Sequence, residues 1–319
     1  NRIRAVHLAV KNIEEAAKEL APLGVAAIVP LVAVRRRGGI GQLRSESAHP
    51  FRHALGKSRW PAALAATAVL TLMVGLPLGQ LGATALRNPD IAVLDSLREA
   101  KTNLAFTFGI GAGAALASGL LACGLAAVAA RSREGAVVDA LVLLPLTVPA
   151  VAVGIATIRM LHPTAAPGWM PEGMAAGYLS FLDTVYLSPV AAMVALLPRV
   201  LPFAFAGAVA AFARLPAETI EAARVSGLGP AACAWSITRP LVASGVIGGA
   251  LLAFAFSVRE VDALALLPAG NPAAIFRIYN AVHFNRPEFV AALSLAVAAL
   301  AAWPLAVHVL WRRAPLEVK

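Results

Sequence analysis

Arg214-Leu-Pro-Ala-Glu-Thr-Ile-Glu-Ala-Ala-Arg-Val-Ser-Gly-Leu-Gly-Pro-Ala-Ala-Cys-Ala-Trp-Ser-Ile-Thr-Arg-Pro240 is a polar island between two long apolar runs. Its start reads as a helix: Pro216 suits the first helical position, where no amide donor is needed, and Glu218 suits the positive N-terminal end. Ala222 and Ala223 carry almost no side chain, so a partner surface can come close. Gly227 is the expected stop, because helices commonly end on a residue of positive φ. Pro230 prevents continuation, and Pro240 opens the next apolar segment. The island is therefore expected to hold a short helix at the membrane surface, with a bare apolar face and charged flanks.

At these residues the stretch resembles the EAA loop of the membrane subunits of bacterial ABC importers. That pattern is Glu-Ala-Ala, a three-residue gap, Gly, a nine-residue gap, Ile, one residue and Leu-Pro. Glu221, Ala222, Ala223, Gly227, Ile237 and Pro240 fall on it in register, while Arg239 stands where the family usually has Leu. The resemblance implies a coupling helix seated in a groove of a separate ATPase subunit. Without the spacing and the membrane context, the same residues would read as an ordinary amphipathic connector.

Composition sets the broad class. Of 319 residues, 59% are hydrophobic and 14% charged, with mean hydropathy +0.76. A soluble domain carries about 25% charged residues. The chain is an all-α polytopic membrane protein. The net charge of +10 comes without a basic-aromatic stripe that would read or stack on bases. The cationic residues cluster between apolar runs instead, as the positive-inside rule expects. Cys123 and Cys233 offer neither a disulfide framework nor metal-ligand spacing.

Residues 1–59 form a separate N-terminal region. Ile3, Val6, Val10, Ile13, Ala17 and Leu20 draw one apolar stripe on a helix. Lys11 with Glu15 and Glu14 with Lys18 make i,i+4 pairs on the other face. Leu20–Val34 is short for a span, which needs about 20 residues, and Arg35-Arg36-Arg37 ends it. In the polar linker that follows, Gly56-Lys57-Ser58 resembles the tail of a phosphate loop. Phe51 stands where the loop needs glycine, so no phosphate cradle is expected. His49 and His53 lack a third ligand. The chain shows no nucleotide, cofactor or metal site of its own.

Residues 60–319 carry six apolar segments long enough to span: Ala62–Leu86, Asn103–Ala130, Val137–Leu161, Val185–Ala213, Pro240–Leu267 and Glu288–Trp311. Arg52, Lys57, Arg59, Arg131, Arg133, the island's arginines, Arg312, Arg313 and Lys319 all fall on one side of these spans. That side is expected to be the cytoplasm, together with the C-terminus. Gly75 and Gly79, Gly109 and Gly113, and Gly245 and Gly249 are small residues four apart that permit close helix packing. Pro145 and Pro149 are expected to kink the third span and free carbonyls.

Charges inside the spans are the sharpest functional signal. Arg199 lies in the fourth span, and Arg259, Glu260 and Asp262 in the outer half of the fifth. A charge at mid-bilayer costs roughly 2.5–3.5 kcal/mol on insertion scales and normally faces a partner or water. Arg199, Arg259 and Glu260 are therefore either pathway residues or an Arg–Glu pair joining two helices.

Leu144-Pro-Leu-Thr-Val-Pro-Ala-Val-Ala-Val-Gly154, Phe254–Gly270 and Ile278-Tyr-Asn280 are similar to the permease subunits of ferric-iron and thiamine importers. That resemblance implies a six-span type I importer domain, the second half of a fused permease, with residues 1–37 left from the first. It also implies alternating access driven by two ATPase subunits, delivery by a solute-binding protein, no catalytic residue in this chain, and ATP held by the partner. The alternative class is an ion-gradient transporter using Arg199, Arg259 and Glu260 as a relay.

Overall fold

The computed structural model describes residues 56–88, 93–131, 135–267 and 272–313. The expected N-terminal amphipathic helix, the run Leu20–Val34, the phosphate-loop echo's upstream half, His49 and His53, and the last residues lie outside the described residues. The described residues are helical, with no strand among them. They form α1 (Arg59–Ala85), α2 (Val93–Glu99), α3 (Lys101–Arg131), α4 (Gly135–Leu143), α5 (Ala150–Leu161), α6 (Glu172–Tyr186), α7 (Pro189–Phe212), α8 (Ala217–Val225), α9 (Pro230–Arg259), α10 (Ala274–His283) and α11 (Pro287–Arg313).

Five of these are long and apolar enough to cross a bilayer unbroken: α1, α3, α7, α9 and α11. The expected third span is instead two pieces, α4 continued by a 3₁₀ turn at Leu144–Thr147, and α5, bent by 101° at Val148–Pro149. Helix directions show what this broken pair does. In α3, Gly111 faces Phe254 and Val258 of α9 and Gly119 faces Ala250, so these helices run antiparallel. In α7, Gly207 faces Gly245 and Gly249 while Phe203 stacks on Phe256, again antiparallel to α9. Helices α3 and α7 thus run the same way, and the chain between them must return across the membrane. The broken pair lies in that return and, counted as one span, is the sixth candidate crossing.

The core lies where α3, α7 and α9 meet, built from Ile110, Ala114 and Ala122, from Leu196, Val200, Ala204 and Phe205, and from Val242 and Ala253. With no water to expel between helices in lipid, association depends on close van der Waals contact. The α7–α9 seam achieves it backbone to backbone. A methyl group on Gly207 would lie 2.6 Å from the Gly245 carbonyl oxygen, and one on Gly249 would lie 2.6 Å from that of Ala204. Of the other expected small-residue pairs, Gly113 packs on Met193, while Gly79 and Gly109 meet nothing outside their own helix. Among the described residues, helix α1 stands apart, with 0% of its apolar window buried, and its docking on α11 is carried by Leu76–Ala85.

Several expected boundaries move. The fourth span begins at Pro189, capped by Ser188, whose hydroxyl accepts the Val190 amide at 3.2 Å. Val185 belongs to α6, whose fifteen residues take up the later part of the expected loop at 162–184. The fifth span starts at Pro230, ten residues before Pro240, because a proline needs no donor at a first turn. It ends at Arg259, so Glu260, Asp262 and the chain to Leu267 form an extended residue and turns rather than helix.

Candidate functional site

Helix α8 carries the Glu221–Gly227 part of the island. Its first residue is Ala217; Pro216 caps it in extended conformation at φ −66°, ψ 133° rather than occupying the first turn. Gly227 has φ +83°. Its amide donates to the Arg224 carbonyl at 3.0 Å, and the Leu228 amide reaches back to Ala223 at 3.1 Å. Those two bonds are the Schellman closure, which satisfies the last carbonyls and requires a left-handed residue at 227. Ala223 turns inward and is buried, whereas Glu221, Ala222 and Gly227 are exposed, as is Val225 at 89%. The result is a rigidly ended knob with a small-residue surface.

Ile237 and Pro240 lie on α9 itself. Pro240 cannot donate to the carbonyl four residues back. Immediately before it, residues Ala234–Thr238 widen into a π-turn, and the Arg239 amide bonds the Ala234 carbonyl five residues earlier. The helix continues through the proline without a break.

At the opposite end of α9 the structure joins two of the three candidate pathway residues, Arg199, Arg259 and Glu260. Arg199 Nε lies 3.8 Å from Glu260 Oε2, a charge contact longer than a hydrogen bond, with side chains 23% and 17% exposed. Arg199 Nη1 donates to the Val148 carbonyl at 3.3 Å. In an unbroken third span that carbonyl would accept the Ala152 amide. Here the amides of Ala152 and Val153 both turn to the Pro149 carbonyl, at 2.9 and 3.2 Å, and Val148 is released. Glu260 Oε1 in turn accepts the Ala263 amide at 3.4 Å, fixing the turn after α9. That turn lies so close to α5 that a methyl on Gly154 would sit 2.8 Å from the Ala263 carbonyl oxygen. One guanidinium and one carboxylate thus tie the third, fourth and fifth spans. Arg259 is exposed and takes no part in this pair.

Two charged groups at the same end of the bundle were not singled out as sites from the sequence. Glu99 at the end of α2 accepts Arg277 at 2.6 Å and Arg286 at 3.0 Å from both guanidinium nitrogens. The hydrogen bond from Arg286 outweighs desolvation and, with Arg277, holds the Glu99 carboxyl below its usual range. His162 Nδ1 meets Asp183 Oδ1 at 3.0 Å while its ring stacks on Tyr186. A third omission, Asp139 in α4, is 5% exposed within an apolar segment. An acid in the run Val137-Val-Asp-Ala-Leu-Val-Leu was the visible signal for it.

A bundle of five unbroken spans and one broken one, with a capped knob between the fourth and fifth, defines a helical multi-pass membrane protein. The sequence model of the family described as "Binding-protein-dependent transport system inner membrane component" matches residues 115–311. That is well over half of the chain, which therefore belongs to this family of ABC importer permease components. The matched region contains the knob, the α7–α9 seam and the Arg199–Glu260 pair. Among curated proteins, no match was found.

Proposed function

We propose that the chain is the membrane half of an ATP-driven importer for ferric iron or a similar small cation such as thiamine. In this reading α8 is the segment through which a separate ATPase moves the spans, and residues 1–59 and 60–319 are separate units, the first left from a preceding half. The observation that carries the coupling role is the Schellman-closed α8, with Glu221, Ala222 and Gly227 exposed on a helix whose end cannot slide. Ile237 and Pro240 pass its displacement into α9. The cargo assignment rests on the similarity at Leu144–Gly154, Phe254–Gly270 and Ile278–Asn280. The knob, the C-terminus and the ATPase share the cytoplasmic side, and a solute-binding protein docks opposite. ATP is bound and hydrolysed by the partner.

Arg199 and Glu260 hold three spans in register at the wall of the pathway, and Arg259 faces outward as an anchor. In proteoliposomes with the ATPase and binding protein, Gly227→Pro and Glu221→Lys are each expected to abolish uptake while the spans remain folded. Wild-type uptake and wild-type stimulation of ATPase turnover in both variants would remove the coupling assignment. Uptake that persists after ATP depletion would favour the ion-gradient alternative.

A further inference from the structure

We propose that Trp235 and Arg239 form a headgroup site for an acidic phospholipid, at the membrane face where the loop between α7 and α9 emerges. The guanidinium carbon of Arg239 lies 4.0 Å from the centre of the Trp235 ring. Trp235 is 69% exposed, and Arg239 and Leu241 are exposed as well. Among the described residues, no group accepts a hydrogen bond from or ion-pairs with the Arg239 guanidinium. It differs in this from Arg199, Arg277 and Arg286, which all engage Glu260 or Glu99. From Ala222 to Arg259 the sequence contains no acidic residue at all. Stacking thus fixes the orientation of a cation whose planar set of N–H donors is unspent, and such a fork matches a phosphate.

Depth places this group among headgroups. The regular helix from Arg239 to Arg259 has 21 residues, about 30 Å at 1.5 Å per residue, which equals the hydrocarbon thickness of a bilayer. When one arginine lies at one boundary, the other lies at the opposite boundary, and the π-turn bearing Trp235 rises into the interfacial layer. Tryptophan prefers that layer because its ring is amphipathic. The same pairing recurs at the start of α1, where Arg59 lies over the 66%-exposed Trp60. Six crossings put that pair on the same face. The inference needs α9 to span the bilayer, and it stands apart from the cargo and coupling readings.

The test uses the permease copurified with its ATPase and reconstituted in nanodiscs of phosphatidylcholine containing a fixed share of brominated phosphatidylglycerol or brominated phosphatidylcholine. Subtracting the quenching seen in Trp235→Phe isolates Trp235. Brominated phosphatidylglycerol is expected to quench it more strongly, reflecting local enrichment of roughly fivefold, the preference one interfacial arginine confers. In Arg239→Leu the quenching persists but the preference disappears, whereas Arg239→Lys keeps part of it. Equal quenching by both lipids in the wild type, or an unchanged preference in Arg239→Leu, would overturn the site. So would a Trp235 that neither lipid reaches until the ATPase is stripped away, since the surface would then belong to that partner.

Discussion

The third and fifth spans both contain a proline inside an apolar helix, and they respond in opposite ways. At Pro149 the chain turns by 101°, whereas at Pro240 the helix widens by one residue and continues. Each proline lacks the amide a helix needs, and at Pro149 the Ala152 amide also shifts to the Pro149 carbonyl and leaves that of Val148 free. What differs is the partner each freed group finds. The Val148 carbonyl is met by Arg199, so the break is stabilised from another helix. Near Pro240 the π-turn keeps hydrogen bonding within α9, and a few turns on the glycine seam presses that helix against α7 and leaves no room to bend. A proline in lipid therefore sets a local need, and the neighbouring helix decides whether that need becomes a hinge or a bulge.

The largest effect is expected where the hinge is held from outside. Arg199→Leu leaves the Glu260 carboxylate and the Val148 carbonyl without their partner at a mostly shielded site, and should cost about 2–4 kcal/mol. Thermal unfolding in nanodiscs would report it. The double variant Arg199→Leu with Glu260→Gln should recover part of the loss, because no orphaned charge remains. A single variant as stable as the wild type would mean that the break at Pro149 supports itself.

Gly249→Val comes next. Its side chain meets the Ala204 backbone, not a flexible neighbour, so α7 and α9 must separate, at about 1–3 kcal/mol. If the seam keeps α9 straight, this change should also bend α9 at Pro240, as a distance increase between spin labels on its two ends and α7 would reveal. The smallest effect belongs to Pro240→Ala. Restoring the amide should let the π-turn relax to regular helix with little change in stability, because the π-turn already keeps hydrogen bonding within α9. It would rotate Trp235 relative to Arg239, and a shift in tryptophan emission would show this.

The legible parts of the fold were those encoded locally. The Gly227 stop follows from one residue's conformational preference, and the membrane class follows from composition. Span positions followed from runs of apolar residues to within a turn or so at most ends. Contacts between distant segments were not legible. That Arg199 would choose Glu260 over Arg259's surroundings depends on how α7 and α9 face each other. The kink at Pro145 and Pro149 was legible and is present, but that a carbonyl freed there meets Arg199, some fifty residues on, was not. Helices α6 and α10 went unseen because each is short and mixed in polarity. For α10 part of the start signal lies on α3, where the Thr107 hydroxyl accepts the Ala274 amide at 2.7 Å. The start of α9 was misplaced because Pro230, taken as a barrier, was the first residue of a helix.

The way α1 is moored has a mechanical consequence. Among the described residues its last ten carry the docking on α11, through Leu81 and Ala85 beside Ala291, Ala292 and Leu295. The described bundle holds the remaining length only weakly, so its inclination can follow membrane thickness. In a thin bilayer this helix leans like a mast stayed at one end, while the three-helix core keeps its shape.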